Sequence, residues 1–181
     1  MHRRAFLNQI SRATTGAALA TTLLTTSTRR ASAALADWNA VINRTKFTGA
    51  TSSATTAARG NRINNLLFSS TVYGSAFDSR TLAVTTSLGD TSVISYRTTE
   101  SDVIVNTAFT WNSYRGALRS QVDLRRVLIH EFGHVLGLDH PDQADPAQSV
   151  AAIMNSSVSG TDALQPDDLA GAAALYNVPI T

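Results

Sequence analysis

Apolar positions fall into a few patterned stretches separated by polar ones. In "ALADWNAVINRTKF", Leu35, Trp38 and Ile42 recur near helical spacing and predict one amphipathic helix. The next stretch, "TGATSSATTAARGNRINN", is rich in Thr, Ser, Asn and Gly and reads as a loop. Three runs follow, "LLFSSTVYG", "RTLAVTTSL" and "SDVIVNTAF", dominated by Val, Ile, Thr and aromatic residues, with Gly, Asp and Ser between them. That composition predicts strands. A second helix is predicted from about Val122 to Leu136. Val127, Leu128 and Val135 supply its apolar positions, and Gly137 is suited to end it. "DHPDQADPAQS" reads as a Pro- and Asp-rich loop. The last helix, "QPDDLAGAAALYN", has Pro166 in its first turn and Asp167 and Asp168 at the positive end of the helix dipole. Leu169 and Leu175 are expected to face inward. No internal repeat is visible, and the order helix, strands, helix, loop, helix predicts an α+β fold.

A chain of 181 residues with 43% hydrophobic content is of one-domain size. It has no run of 18 apolar residues, so no membrane span is predicted. The pI of about 9.4 invites a nucleic-acid reading, but the charge is unevenly placed. Arg3, Arg4, Arg12, Arg29 and Arg30 lie in the first 30 residues, which hold no acidic residue. From residue 34 onward 10 basic residues face 13 acidic ones. The basic balance belongs to the N-terminal segment, and no nucleic-acid partner is expected. That segment has arginines, then Phe6 and Leu7, the mildly apolar "GAALATTLL", and the small-residue site "ASA" at 31–33. It predicts a signal peptide over residues 1–33, similar to a twin-arginine leader, with a domain over 34–181. Export to the periplasm or medium follows, with no membrane attachment after removal. The absence of cysteine fits an exported protein that uses no disulfide.

The candidate chemistry lies in "HEFGHVLGLDH", residues 130–140, which contains three of the chain's four histidines. Residues four apart share a helix face, so His130 and His134 can aim at one point. Imidazoles at that spacing suit a zinc ion at roughly 2.0–2.1 Å. Gly137 lets the chain leave the helix in a backbone conformation costly for other residues, and that turn can return His140 to the same point. Three protein ligands leave a fourth position for water, the mark of a catalytic zinc site. Glu131 points slightly aside, where it reaches such a water rather than the ion.

HExxHxxGxxH followed by a Met-containing turn resembles the metzincin zinc proteases. "AAIMNSS" supplies Met154, and "LQPDDLAGAAALYN" is similar to the last helix of the matrixin branch. "SRTLAVTTS" and "ESDVIVNTAFTWNSY" resemble the paired strands before its zinc helix. The likeness is loose over residues 35 to 178 and close over 122 to 176, and the chain resembles bacterial secreted matrixin-like proteins. It implies a zincin-like catalytic domain: a small twisted mixed sheet, an N-terminal helix, a zinc-binding helix and a C-terminal helix. It implies one catalytic zinc on His130, His134 and His140, Glu131 as general base and later acid, and Met154 as a hydrophobic floor. Arg80 to Ser87 would be the edge strand that pairs with a protein or peptide substrate. Tyr176 reads as a core aromatic, and Asp139 takes no assigned role.

Four features depart from the family pattern. The structural zinc of animal matrixins needs histidines that this chain lacks, since only His2 remains. Without cysteine no thiolate can hold the zinc in a latent state. The strand expected before the Trp38 helix has little room, unless part of the leader belongs to the domain. "IMNSSVSG" lacks the Pro and Tyr that usually wall the specificity pocket. Calcium could use the carboxylates of "DHPDQADP", although such loops are usually just solvated.

The function expected is therefore a monomeric zinc endopeptidase. The alternative is a secreted zinc-containing binding module of the same fold without turnover. Glu131 argues against that alternative, because holding zinc needs only the histidines.

Overall fold

The computed structural model describes residues 2–9, 17–43, 45–52, 58–90 and 97–176. In chain order these form β1 (His2–Gln9), α1 (Ala17–Val41), β2 (Thr45–Ser52), β3 (Asn64–Ser69), β4 (Thr71–Val72) and β5 (Ser75–Ala76). Then come β6 (Ala83–Asp90), β7 (Arg97–Asn106), β8 (Trp111–Asn112), β9 (Val122–Asp123), α2 (Leu124–Leu136), a 3-10 turn (Pro141–Gln143) and α3 (Pro166–Tyr176). Five strands make one sheet in the order β2-β1-β3-β7-β6. Its pairs are parallel except β6 with β7, so the sheet is mixed and the fold is α+β, as expected.

β7 lies between β3 and β6, and its Val103, Ile104 and Val105 are fully buried, as an inner strand with both faces covered requires. On α1, Ala31, Ala34, Leu35 and Trp38 follow the helical period and, with Ile42 just past its end, form one buried stripe. That stripe joins Leu128, Ile129 and Phe132 of α2 in the main core. Trp38 also satisfies its indole N–H there, donating to the Ile129 carbonyl at 2.8 Å. At the rim, Arg125 grips both carboxylate oxygens of Asp37 at 2.6 and 2.8 Å. These contacts fix the helix that carries the histidines.

The structure departs from the sequence reading at several places. The first helix begins well before Ala34 and ends at Val41, and residues read as helix end and loop form β2 instead. Phe47 drives this: it is buried, and Asn39 clasps its backbone from both sides, accepting from its N–H at 2.6 Å and donating to its carbonyl at 2.8 Å. Residues 53–57 of the expected loop, and Asn177 of the expected last helix, lie outside the described residues. β1 pairs along its full length with β2 and supplies a strand ahead of the Trp38 helix, for which the sequence left little room. The boundary expected after Ala33 falls inside α1, between Ala31 and Ala34, both core residues. On α3 the inward residues are Asp168 and Ala172, while Leu175 is 53% exposed. Tyr176 instead reaches back, its hydroxyl donating to the Leu136 carbonyl at 2.8 Å.

Candidate metal centre

α2 starts at Asp123, whose side chain accepts from the Arg125 N–H, and ends at Gly137 in the left-handed conformation, φ 94°. The Gly137 N–H donates to the His134 carbonyl at 2.9 Å and the Leu138 N–H to Gly133 at 3.0 Å. This paired closure reverses the chain directly after the helix. It sets the Leu138 carbonyl 2.8 Å from Nδ1 of His134 and leads into the turn that carries His140. The predicted convergence is present: the three Nε2 atoms are 3.0, 3.0 and 3.2 Å apart.

The far side of each ring identifies what those nitrogens face. Nδ1 of His130 lies 2.8 Å from the Ile153 carbonyl, Nδ1 of His134 from Leu138, and Nδ1 of His140 3.0 Å from Oε1 of Gln143. All three partners are acceptors, so each Nδ1 carries the proton and each Nε2 presents a lone pair. Three lone pairs pointed together repel one another unless a cation lies between them. His130, His134 and His140 would hold such an ion through these three nitrogens, and it would supply Lewis acidity there. Burial pushes the pKa of His130 and of His134 below the usual imidazole value, favouring the neutral form a metal needs. The residues therefore fit zinc. Among the described residues this is the one group of three or more His, Cys, Asp or Glu whose ligand atoms converge.

Glu131, one residue past the first histidine, is buried and faces the same cleft. Removal from water pushes its carboxyl pKa up, and His134 and a hydrogen bond from Thr85 only partly oppose this. Thr85 donates to Oε2 at 2.6 Å. The cleft encloses about 1180 Å³ between β6, α2 and the segment from Ile153 to Thr161. β6 is the edge strand and contains Ala83 to Ser87 of the expected Arg80–Ser87 strand, while residues 80–82 precede it; no strand pairs with its outer side among the described residues. Arg126, buried near the cleft floor, donates to the Gly116 carbonyl at 2.7 Å and to the Ser159 carbonyl, tying down the segment after Met154.

Met154 is buried against Gly133 and Trp38 beneath the ligand helix. Asp168 holds it there: its carboxylate accepts from the N–H groups of Ile153 at 3.0 Å, Met154 at 3.1 Å and Gln165 at 2.7 Å. The same segment supplies the Ile153 carbonyl that orients His130, so Asp168 acts on the centre through the backbone. Asp139 accepts from the His140 N–H at 2.8 Å, and Asp142 accepts from the N–H and hydroxyl of Ser156. Both therefore brace the loop that carries His140.

Sequence reasoning missed Gln143, Thr85 and the Ile153 and Leu138 carbonyls. Only Gln143 left a trace, three residues past His140 across a turn opened by Pro141. Comparison with curated proteins returns no match. Residues 19–177, most of the chain and all of the centre, match the family described as Matrixin. The chain belongs to the matrixin family of zinc metalloproteases.

Proposed function

We propose that this chain is a secreted zinc endopeptidase in which His130, His134 and His140 hold one ion and Glu131 moves the proton. The observation that carries the reading is a buried carboxylate beside three imidazole lone pairs at the wall of an open cleft. Bound zinc supplies Lewis acidity, making water nucleophilic near neutral pH and polarising the scissile carbonyl. Glu131 accepts the proton that the attacking water loses and returns it to the departing amine. Its raised pKa makes it a stronger base than an exposed glutamate. An extended peptide pairs with the open edge of β6, which fixes its backbone before its side chains are read. The twin-arginine-like leader supports export, and α1 running through residue 33 leaves the processing point to N-terminal sequencing of the exported protein.

The test is cleavage of a casein-type substrate by wild type and by Glu131→Gln, with and without a chelator, alongside analysis of bound zinc and calcium. Wild type should bind one zinc and cleave, and a chelator should abolish cleavage. Glu131→Gln should keep the metal and lose activity by about 10²-fold or more. Cleavage that persists in Glu131→Gln rules out the assigned base. Zinc binding without any cleavage by wild type would point to the binding module instead.

A further inference from the structure

We infer that Thr85 is a positioning residue for the Glu131 carboxylate, so that the edge strand seats the substrate and also aims the base; this rests on the peptidase reading above. Thr85 Oγ1 stands 2.6 Å from Oε2 of Glu131 and 3.1 Å from the carbonyl oxygen of the same residue. A hydroxyl has one proton to donate, and the shorter contact to a charged acceptor takes it. The proton goes to Oε2, so the hydroxyl fixes the end of the Glu131 side chain from the neighbouring strand. Among the described residues the Glu131 carboxylate accepts no other hydrogen bond. Without Thr85 no hydrogen bond from the described residues fixes its outer torsions, which are soft in glutamate. With Oε2 held, Oε1 is the oxygen left to exchange a proton in the cleft.

The anchor of this contact is rigid. Thr85 pairs with Val103 of β7, a fully buried inner-strand residue. The outer side of β6 is the open edge, so a peptide paired there bears on the strand that restrains the base. Thr85 carries no sequence signal of this kind, because a threonine in a β-like run reads as strand propensity.

Thr85→Val keeps the branched shape and removes the donor, and Thr85→Ser keeps the donor. The valine variant should lose about tenfold in kcat with KM within about twofold and zinc content unchanged. The serine variant should recover most of the loss. Adding Thr85→Val to Glu131→Gln should lower the residual rate no further. Independently of turnover, a denaturant-unfolding cycle on the metal-free protein, with Thr85→Val, Glu131→Ala and the double variant, should show coupling between the two positions. An unchanged kcat in the valine variant, a loss that serine does not restore, a rise in KM alone, or zero coupling would each overturn the positioning role. A wild type that cleaves nothing while the coupling is present would overturn the peptidase reading and uphold the hold of Thr85 on Glu131.

Discussion

The sulfur of Met154 stands where a side chain at position 133 would begin: a Cβ built on Gly133 would lie 2.2 Å from Sδ, 3.0 Å from Cε and 3.1 Å from a ring carbon of Trp38. Glycine within a helix costs roughly 0.5–1 kcal/mol relative to alanine, so propensity alone favours Gly133→Ala. The contact reverses the sign. Met154 is 2% exposed and its backbone is held by Asp168, leaving it little room to withdraw. Gly133→Ala is expected to destabilise the protein by about 2 kcal/mol, the usual range for overpacking a core. Because Ile153 adjoins the displaced residue and orients His130, zinc affinity should fall as well. Thermal melting and zinc titration of the variant check both, and a raised Tm would contradict the packing argument.

Gln143 offers a test of the centre that spares the ligands. It is exposed, and its Oε1 sits 3.0 Å from Nδ1 of His140. Losing such a partner of a metal-binding histidine typically weakens the site by 10- to 100-fold. Since His130 and His134 keep their backbone carbonyls, Gln143→Ala should fall at about tenfold, the low end of that range. Competition against a chromophoric chelator measures the affinity. Activity at saturating zinc should return to within about twofold of wild type, which separates an affinity effect from a catalytic one.

The convergence of the three histidines was legible in the sequence because helical geometry is local: a four-residue step places His130 and His134 on one face, and a glycine exit at Gly137 returns His140 to them. The strand over Arg80 to Ser87 was legible from its β-branched content, its edge position came only with the family resemblance, and the last helix was legible from Pro166 and the paired aspartates of its first turn. What orients the histidine rings was not legible. The Ile153 carbonyl meets His130 across 23 residues and Thr85 meets Glu131 across 46, and no periodicity encodes such distances. β2 escaped because Thr, Gly and Ser describe a loop as well as a strand held by backbone pairing. Leu175 misled because its leucine suggested burial, whereas the inward face of α3 runs through Asp168 and Ala172.

Asp168 shows how a buried charge is kept. Three backbone N–H groups surround it, from Ile153, Met154 and Gln165. Asp168→Ala removes the acceptor and leaves all three donors unpaired in a site that is 2% exposed. Each unmet buried donor costs about 1–3 kcal/mol, so a loss of about 3 kcal/mol is expected. Asp168→Asn retains one carbonyl oxygen and should lose less. Chemical denaturation of the two variants tests that order. Equal losses would mean that charge, not acceptor count, holds the segment beneath the histidines.

Asp162 gives the pH dependence a definite sign. Its Oδ2 accepts from the Gly116 N–H at 2.6 Å and meets Nε of Arg115 at 3.0 Å. The Gly116 hydrogen bond, aided by Arg115, Arg126 and Arg125, holds the carboxyl pKa below the ordinary aspartate value of 3.8. Between the folded and unfolded pKa values the unfolded chain binds more protons, so stability there rises with pH. The contribution is fully present above the unfolded value and is lost as pH falls through the folded one. Arg115 is largely exposed, which limits the ion-pair part, and the total is about 1 kcal/mol. Asp162→Asn keeps an oxygen for Gly116 but removes the charge. It should be less stable than wild type by about that amount at pH 7, and the two unfolding curves should converge below the folded pKa. A gap that stays constant from pH 7 down through the acid transition would show that geometry rather than charge sets the role of Asp162.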